Sequence, residues 1–362
     1  MGRRKICVFS CFVAFLIIFA AYSQTPTTMR FIKRICAAAM LAIVLLSSAT
    51  SCRRGSTGDS TLLPNISGGV NDVLVVLRKE LWNDTLGRTY KAILEDQFPY
   101  LPQIEPLFDA VMLPPDNFGS TFKSHRNIIR HNIGANVDSV GLAIQKDVWA
   151  APQTVVVISS PTYKEAVPFV IANAERIVNI FEQAERDRDI HTARKYPELD
   201  LEQKFLKRGI KISIPKGYVL NTDVDDFIWI SHETPKTSQG IIAYRFPYTE
   251  ANTFTAEYLT ARRNDVVRHI PGPTDCSYMI TSDVVPAGVS SMTYRGVYRS
   301  VMRGFWDVAN HPMGGPFISH AFVDKERQEV VVVEAYVYAP SKGKRDLMRQ
   351  TEAILFSASL VE

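Results

Sequence analysis

From residue 66 onward, short runs of β-branched and apolar residues alternate with turn-forming and proline-rich segments. Runs of this kind are typical of strands. The clearest strands are expected at residues 73–77, 154–158 and 330–333. Further strands are expected at residues 127–133, 141–144, 210–214, 227–231, 240–246, 294–308, 316–323 and 329–338.

Helices are predicted between these strands, where apolar residues recur at helical spacing. They begin near Thr85, at Ser160 as N-cap with Pro161 in the first turn, near residue 254, and at Ser341 as a cap. Each half of the chain then runs strand, helix, several strands, helix. This order predicts an α+β fold with two similar-looking halves, each a largely antiparallel sheet with helices packed on it. The halves are residues 66–190 and 209–362, and the polar residues 191–208 are expected to link them.

The segment before Cys52 has the parts of an export signal. Arg30, Lys33 and Arg34 precede an apolar run at residues 35–46, and small residues lead up to Cys52. Small residues directly before a cysteine resemble the lipobox of bacterial lipoproteins, although Ala49 stands where that motif has leucine. We therefore expect a signal peptide at residues 29–51, cleavage before Cys52 and lipid attached to Cys52. The alternative is an ordinary secretory signal with a chance cysteine.

Residues 1–28 contain a second signal-like segment, which serves no obvious purpose before the first. We interpret Met29 as the true start and residues 1–28 as an extension; the alternative is that the run at residues 6–21 is a membrane anchor. Residues 52–65 are a flexible tether, and the residues directly after Cys52 lack the acidic cluster that can direct such proteins to the cell surface. We therefore expect the protein to be located at the outer membrane, facing the periplasm, and to contact the membrane through its lipid.

Charge and cysteine content exclude several classes of protein. Residues 1–51 hold six basic and no acidic residues, so the remainder has 35 basic and 37 acidic residues. A nearly neutral chain has no general attraction to nucleic acid, and no nucleic-acid partner is expected. After Cys52 the sequence contains one further cysteine, Cys276. A single cysteine excludes a disulfide framework and paired-cysteine metal sites, and we interpret Cys276 as a core or turn residue.

Motifs for catalysis or cofactors are missing. The sequence has no nucleophile elbow, phosphate-binding loop, dinucleotide fingerprint or zinc-protease motif, so no cofactor is expected. The two closest histidines, His125 and His131, are six residues apart, a spacing that suits neither one helix face nor simple metal ligation. No metal site is expected.

Four segments stand out by their proline, glycine and aromatic content: residues 101–106, 149–153, 270–273, and 312–317 preceded by 303–306. We interpret them as fixed turns, with Trp306 in the core and with Gly314 and Gly315 in a turn where at least one of the two has positive φ. The competing interpretation is a cleft for a sugar or peptide, lined by Trp149 and Trp306 with Arg303 and Glu105 as polar contacts.

The same segments resemble a known family. They read Pro-Gln-Ile-Glu-Pro, His-Arg-Asn-Ile-Ile, Trp-Ala-Ala-Pro-Gln, Ile-Pro-Gly-Pro, Arg-Gly-Phe-Trp, Met-Gly-Gly-Pro-Phe and Val-Tyr-Ala-Pro followed by Lys344-Arg345. Over about residues 66–360 they are similar to a bacterial lipoprotein family known only as domain of unknown function 4837. The resemblance implies an envelope lipoprotein of Gram-negative bacteria and carries over no catalytic residues.

Two functions remain open. The first is a lipid-anchored envelope lipoprotein without enzymatic activity, which binds or supports an envelope protein or glycan. The alternative is an envelope hydrolase acting on glycan or peptide, which needs paired carboxylates or a nucleophile with a base. The carboxylates nominated for that role are Glu105 with Asp307 or Asp265.

Overall fold

The computed structural model describes residues 62–224, 226–249 and 252–361. The predicted signal peptide, Cys52 and all but the last residues of the tether lie outside these ranges. Residues 63–362 form one packed unit. No helix in the described ranges is both long and apolar enough to span a membrane.

The first sheet and its helices occupy the N-terminal part of this unit. In chain order the elements are β1 (Asp72–Val76), α1 (Lys79–Trp82), α2 (Thr85–Leu94), β2 (Asp109–Leu113), a 3-10 turn (Pro115–Asn117), α3 (Ser120–Lys123), β3 (Asn127–Ile133), β4 (Gly141–Lys146), β5 (Thr154–Ser160), α4 (Tyr163–Ala172) and α5 (Ala174–Lys195). The strand order is β2-β1-β3-β5-β4.

This first sheet is mainly parallel. β1 pairs in parallel with β2 and β3, β3 pairs in parallel with β5, and only β4 runs antiparallel to its neighbour. The largely antiparallel sheet expected for the first half was therefore wrong. The physical reason is that helices connect β1 to β2, and a helical crossover returns the chain in the same direction. β1 is covered on both faces, because Val73 and Val75 pack in one core and Leu74 and Val76 in another.

The second sheet has eight strands and is antiparallel throughout. The elements are α6 (Leu199–Lys207), β6 (Ile210–Lys211), β7 (Val219–Val224), β8 (Phe227–Glu233), β9 (Ser238–Pro247), α7 (Ala256–Val267), β10 (Met279–Thr281), β11 (Gly288–Tyr294), β12 (Val297–Val308), β13 (His311–Asp324), β14 (Glu329–Tyr338), α8 (Arg345–Ser357) and β15 (Ser359–Leu360). The strand order is β10-β12-β13-β14-β9-β8-β7, and β11 also pairs with β12. β6 and β15 form a separate small pair.

Helices cover both faces of the second sheet. α6 and α8 pack on one face through residues such as Phe205 and Leu355. α7 packs on the other face through Leu259 and Val267. The antiparallel sheet with packed helices that was expected for the second half is confirmed, but the two sheets differ in size and strand direction.

Several predicted element boundaries were wrong. Ser160 is the last residue of β5, and the long helix begins at Tyr163 and is interrupted at Asn173, so it forms two helices. Ser341 does not cap the last helix, whose N-cap is Lys344. The polar segment 191–208 is mostly helical, and α6 within it buries Leu201 and Phe205.

The predicted turn at Gly314 and Gly315 is a strand. Both glycines lie inside β13, and neither is among the residues with positive φ. The chain reverses instead between β12 and β13, where Asn310 has a φ of 65°. The glycines are needed for close approach: an added Cβ at Gly315 would lie 2.2 Å from the carbonyl oxygen of Val337.

Candidate functional site

The four residues expected to line a cleft are dispersed in the structure. Trp306 is 1% exposed and packs in the core between the second sheet and α7. Trp149 lies at the first sheet, 5.4 Å from the ring of Phe118 between centroids. Arg303 donates a hydrogen bond to Glu352 at 2.8 Å. The four side chains thus form no single cleft.

Glu105 has a structural position at the start of α8. Its carboxylate accepts hydrogen bonds from the backbone amides of Lys344 at 2.7 Å and Arg345 at 3.1 Å. Negative charge at a helix N-terminus satisfies free amides and interacts favourably with the helix dipole. Residues 101–106 therefore connect the loop after α2 to α8. Glu105 makes this contact and is not paired with Asp307 or Asp265.

A second group of side chains contains residue types that occur in catalytic sites, but a substrate cannot reach it. In the core of the first sheet, His131 Nε2 lies 2.9 Å from Ser160 Oγ, and His131 Nδ1 lies 2.8 Å from the hydroxyl of Tyr90. Burial lowers the pKa of His131 to about 4. Ser160 and Tyr90 are fully buried and His131 is 7% exposed, so a substrate cannot reach the serine. The three groups form a satisfied polar network within the core.

The contact between α5 and α8 holds a dense set of charges. Glu185 pairs with Arg126 and Arg188, and Arg349 pairs with Glu182. Beside them, burial and the nearby Glu185 raise the pKa of Asp189 to about 7. The crevice between these charges encloses about 70 Å³. A space of this size holds only a few waters, so the crevice is too small for a metabolite.

The main candidate is a cleft on the α7 face of the second sheet, with a volume of about 690 Å³. We call it the aromatic cleft and define it by Trp229, Trp306, Tyr336 and Tyr338. Volumes of this size are usual for small-molecule sites. Trp306 and Tyr336 are buried in its floor, whereas Trp229 and Tyr338 are half-buried and present part of their rings to solvent.

The cleft exists because α7 is shorter than the strands beneath it. Twelve residues of helix span about 18 Å, whereas the ten residues of β14 span about 34 Å. α7 covers one part of the face, and residues 270–273 continue from it as an extended segment along the edge of the cleft. The β8–β9 turn and the segment that follows β14 form the remaining rim.

Two glycines allow the aromatic rings of the cleft to lie flat on the sheet. A Cβ at Gly240 would lie 2.0 Å from the ring of Tyr336, its partner across β9 and β14. A Cβ at Gly315 would lie 3.1 Å from Trp306 Nε1. Trp229 Nε1 then donates a hydrogen bond to the Tyr336 hydroxyl at 3.0 Å, which holds the two rings together. Burial raises the pKa of Tyr336, so the hydroxyl stays protonated.

A buried ion pair lies between α7 and the sheet, next to the floor of the cleft. Arg263 of α7 and Glu334 of β14 are both fully buried and form a salt bridge at 2.8 Å. Burial raises the pKa of Glu334, and the Arg263 guanidinium opposes that rise. Arg263 also donates to Thr281 Oγ1 and approaches Met279 Sδ at 3.7 Å, and Met279 lines the cleft.

Sequence reasoning found part of this site. Two of the four unusual segments, residues 270–273 and 303–317, meet at the aromatic cleft, and the other two lie elsewhere. Trp229, Tyr336 and the Arg263–Glu334 pair were missed. Tyr338 was noted only within Val-Tyr-Ala-Pro. The available signal was a set of aromatic residues on one face of neighbouring strands. Without the pairing register, however, the sequence does not show which residues of different strands lie side by side on that face.

Other expectations have mixed outcomes. Cys276 was expected to be a core or turn residue, and it is an exposed turn residue with a φ of 60°. Within the described ranges, His, Cys, Asp and Glu side chains form no group of three or more that is placed to hold a metal ion. The expected lipid site at Cys52 lies outside those ranges.

Solved structures are similar to the chain only weakly. The Ran-binding protein Mog1p of Saccharomyces cerevisiae has 11% identity and a TM-score of 0.29, covering 42% of this chain and 91% of Mog1p. A Mog1 point mutant has 12% identity and a TM-score of 0.28, covering 42% and 92%. The lipid transfer and protein localization domain of human StarD13 has 9% identity and a TM-score of 0.20, covering 43% and 94%. These TM-scores are low, and no argument rests on them.

Family models match both parts of the chain. Residues 67–194 match a domain of unknown function, DUF8532, and residues 198–357 match a domain of unknown function, DUF4837. No curated protein matches the chain. The resemblance to DUF4837 that was expected over residues 66–360 is thus confirmed for residues 198–357, and a second family model accounts for the residues before them.

Proposed function

We propose that this chain is a lipid-anchored, non-enzymatic binding protein of the bacterial cell envelope, and that the aromatic cleft is its ligand site. The apolar run and small residues before Cys52 support the envelope address. On that basis the protein is attached through lipid on Cys52 to the outer membrane and faces the periplasm.

One observation carries the binding function. A sheet face that is elsewhere covered by α7 leaves Trp229 and Tyr338 partly open at a cleft of about 690 Å³. Concave sites lined by aromatic and apolar side chains with few polar groups are the usual form of small-molecule sites. Among the described residues, the cleft is lined by no histidine and by a single acidic side chain, Glu233, so no pair of carboxylates converges there.

The hydrolase alternative has weaker support. Glu105 is used by the N-terminus of α8, and Ser160 beside His131 is fully buried. A hydrolase needs its reacting groups to converge where a substrate can reach them. A non-enzymatic role therefore accounts better for the positions of these residues.

The proposal is tested with N-phenyl-1-naphthylamine, an uncharged apolar probe that becomes fluorescent when it leaves water. We expect saturable binding, weakened up to about tenfold in Tyr338→Ala, because one aromatic contact contributes about 0.5–1.5 kcal/mol. The control is Tyr196→Ala, which removes an exposed tyrosine that does not line the cleft. Equal probe affinity in the two variants, or no binding to the parent protein, would contradict the proposal.

A further inference from the structure

The floor and the rim of the aromatic cleft are lined by side chains of different chemistry. This difference indicates which class of ligand the cleft binds. The floor contains Met279, Trp306 and Val308, which are at most 7% exposed, together with the half-buried Met313. No charged side chain lines this floor. The charges of Arg263 and Glu334 between α7 and the sheet are fully buried and paired with each other, so they are not available to a ligand in the cleft.

Such a floor accepts an apolar ligand body. Methionine side chains are flexible and polarizable, so they adapt to irregular hydrocarbon shapes. A sugar placed here would leave hydroxyl groups without partners, which is unfavourable in a desolvated site. Four residues of the rim are prolines, which supply no backbone N–H: Pro235, Pro271, Pro273 and Pro340.

The rim carries an excess of positive charge. Lys236 lies in the β8–β9 turn and Lys342 in the segment before α8, and both side chains are exposed. Neither ammonium group has an ion-pair or hydrogen-bond partner within the described ranges. Glu233 is the acidic residue of the rim, and it already accepts a hydrogen bond from the Ser238 hydroxyl at 2.7 Å.

We infer that the ligand of the aromatic cleft is a single-chain amphiphile with an anionic head group, such as a fatty carboxylate. This inference rests on the proposed binding function and adds the class of ligand. The hydrocarbon body lies on the methionine and aromatic floor, and the head group lies at the rim between Lys236 and Lys342. A bound anion replaces the missing partner of both ammonium groups.

The experiment compares three twelve-carbon ligands below their micelle concentrations: laurate, dodecanol and dodecylammonium. Each is titrated against protein that carries N-phenyl-1-naphthylamine, and displacement of the probe is measured. We expect laurate to bind about 3–10 times more tightly than dodecanol and dodecylammonium to bind most weakly, because two partly exposed charge pairs each contribute modestly. Raising the salt concentration should reduce this preference.

The matched variants separate charge at the rim from net charge of the protein. Lys236→Gln combined with Lys342→Gln should abolish the preference for laurate and leave dodecanol and probe binding unchanged. Lys164→Gln combined with Lys325→Gln removes the same charge at exposed positions outside the cleft and should keep the preference.

Each outcome has one meaning. Equal affinity for laurate and dodecanol, or tighter binding of dodecylammonium, overturns the anionic head group while the binding function stands. Co-sedimentation of the protein with phosphatidylglycerol vesicles, without displacement of the probe by laurate, overturns the free single-chain ligand in favour of a lipid surface. Failure of the probe itself to bind overturns the proposed function and this inference with it.

Discussion

At the scale of single residues, burial keeps His131 and His320 neutral. It lowers the pKa of His131 to about 4, and it lowers the pKa of His320 to about 4 although Glu352 favours the charged form. Arg299 donates to His320 Nδ1 at 3.2 Å, and a guanidinium has no acceptor. The neutral ring therefore carries its proton on Nε2, which faces Glu352 at 3.8 Å.

These two histidines make the fold sensitive to acid. An unfolded histidine has a pKa near 6.5, so between pH 6.5 and 4 the unfolded chain binds protons that the folded chain does not. Stability is full above pH 6.5 and falls as the pH drops, by up to about 3 kcal/mol for each histidine. Urea unfolding at pH 7 and pH 4.5 should show a smaller difference in His320→Gln than in the parent protein. The exposed His191→Gln is the control, and an equal difference in both variants would contradict the assignment.

Gly315 and Trp306 should both be structural residues. A valine at Gly315 has no space beside the Val337 carbonyl oxygen, so Gly315→Val should lower the free energy of unfolding by about 1–3 kcal/mol. Trp306→Ala should lower it by about 3–5 kcal/mol because it empties a fully packed site. Gly141→Ala is the matched control, since a Cβ there meets no atom within 4 Å. An unshifted unfolding midpoint for Trp306→Ala would disprove its place in the core.

At the scale of elements, the Arg263–Glu334 pair joins α7 to β14. Glu334→Leu alone leaves a buried guanidinium without its counterion and should cost about 3–5 kcal/mol. Arg263→Leu combined with Glu334→Leu should cost less than the sum of the single variants, because the double change removes both buried charges. Urea unfolding of the three variants gives the coupling energy. Additive costs would mean that the pair does not act as a unit.

The elements show where sequence patterns are informative. Runs of β-branched residues located β1, β3, β5, β8, β9 and β14 within a few residues, because burial on one or both faces leaves a periodic trace. β7 was missed, since it is an exposed edge strand with the polar residues Asn221, Thr222 and Asp223. The paired glycines of β13 were misread as a turn, because glycine serves close packing as well as positive φ.

At the scale of the whole molecule, the proposed function depends on Cys52. Because lipid on Cys52 is the proposed anchor, Cys52→Ala should release the protein from the membrane fraction. Cell fractionation with a fatty-acid label measures this, and Trp229→Ala serves as a control that should keep both label and membrane retention. A Cys52→Ala protein that still sediments with membranes, together with an unlabelled parent protein, would contradict the anchor.

The sequence by itself determined the α+β composition, the positions of the strongest strands and two of the segments that border the aromatic cleft. These are local properties, since burial imposes a periodicity that each segment carries alone. Strand direction in the first sheet and the cleft itself were decided only by the tertiary structure. The direction depends on how the helical connections cross the sheet. The cleft depends on α7 being shorter than the strands it covers. It depends also on the strand order β14-β9-β8, which brings Trp229 of β8 to Tyr336 of β14.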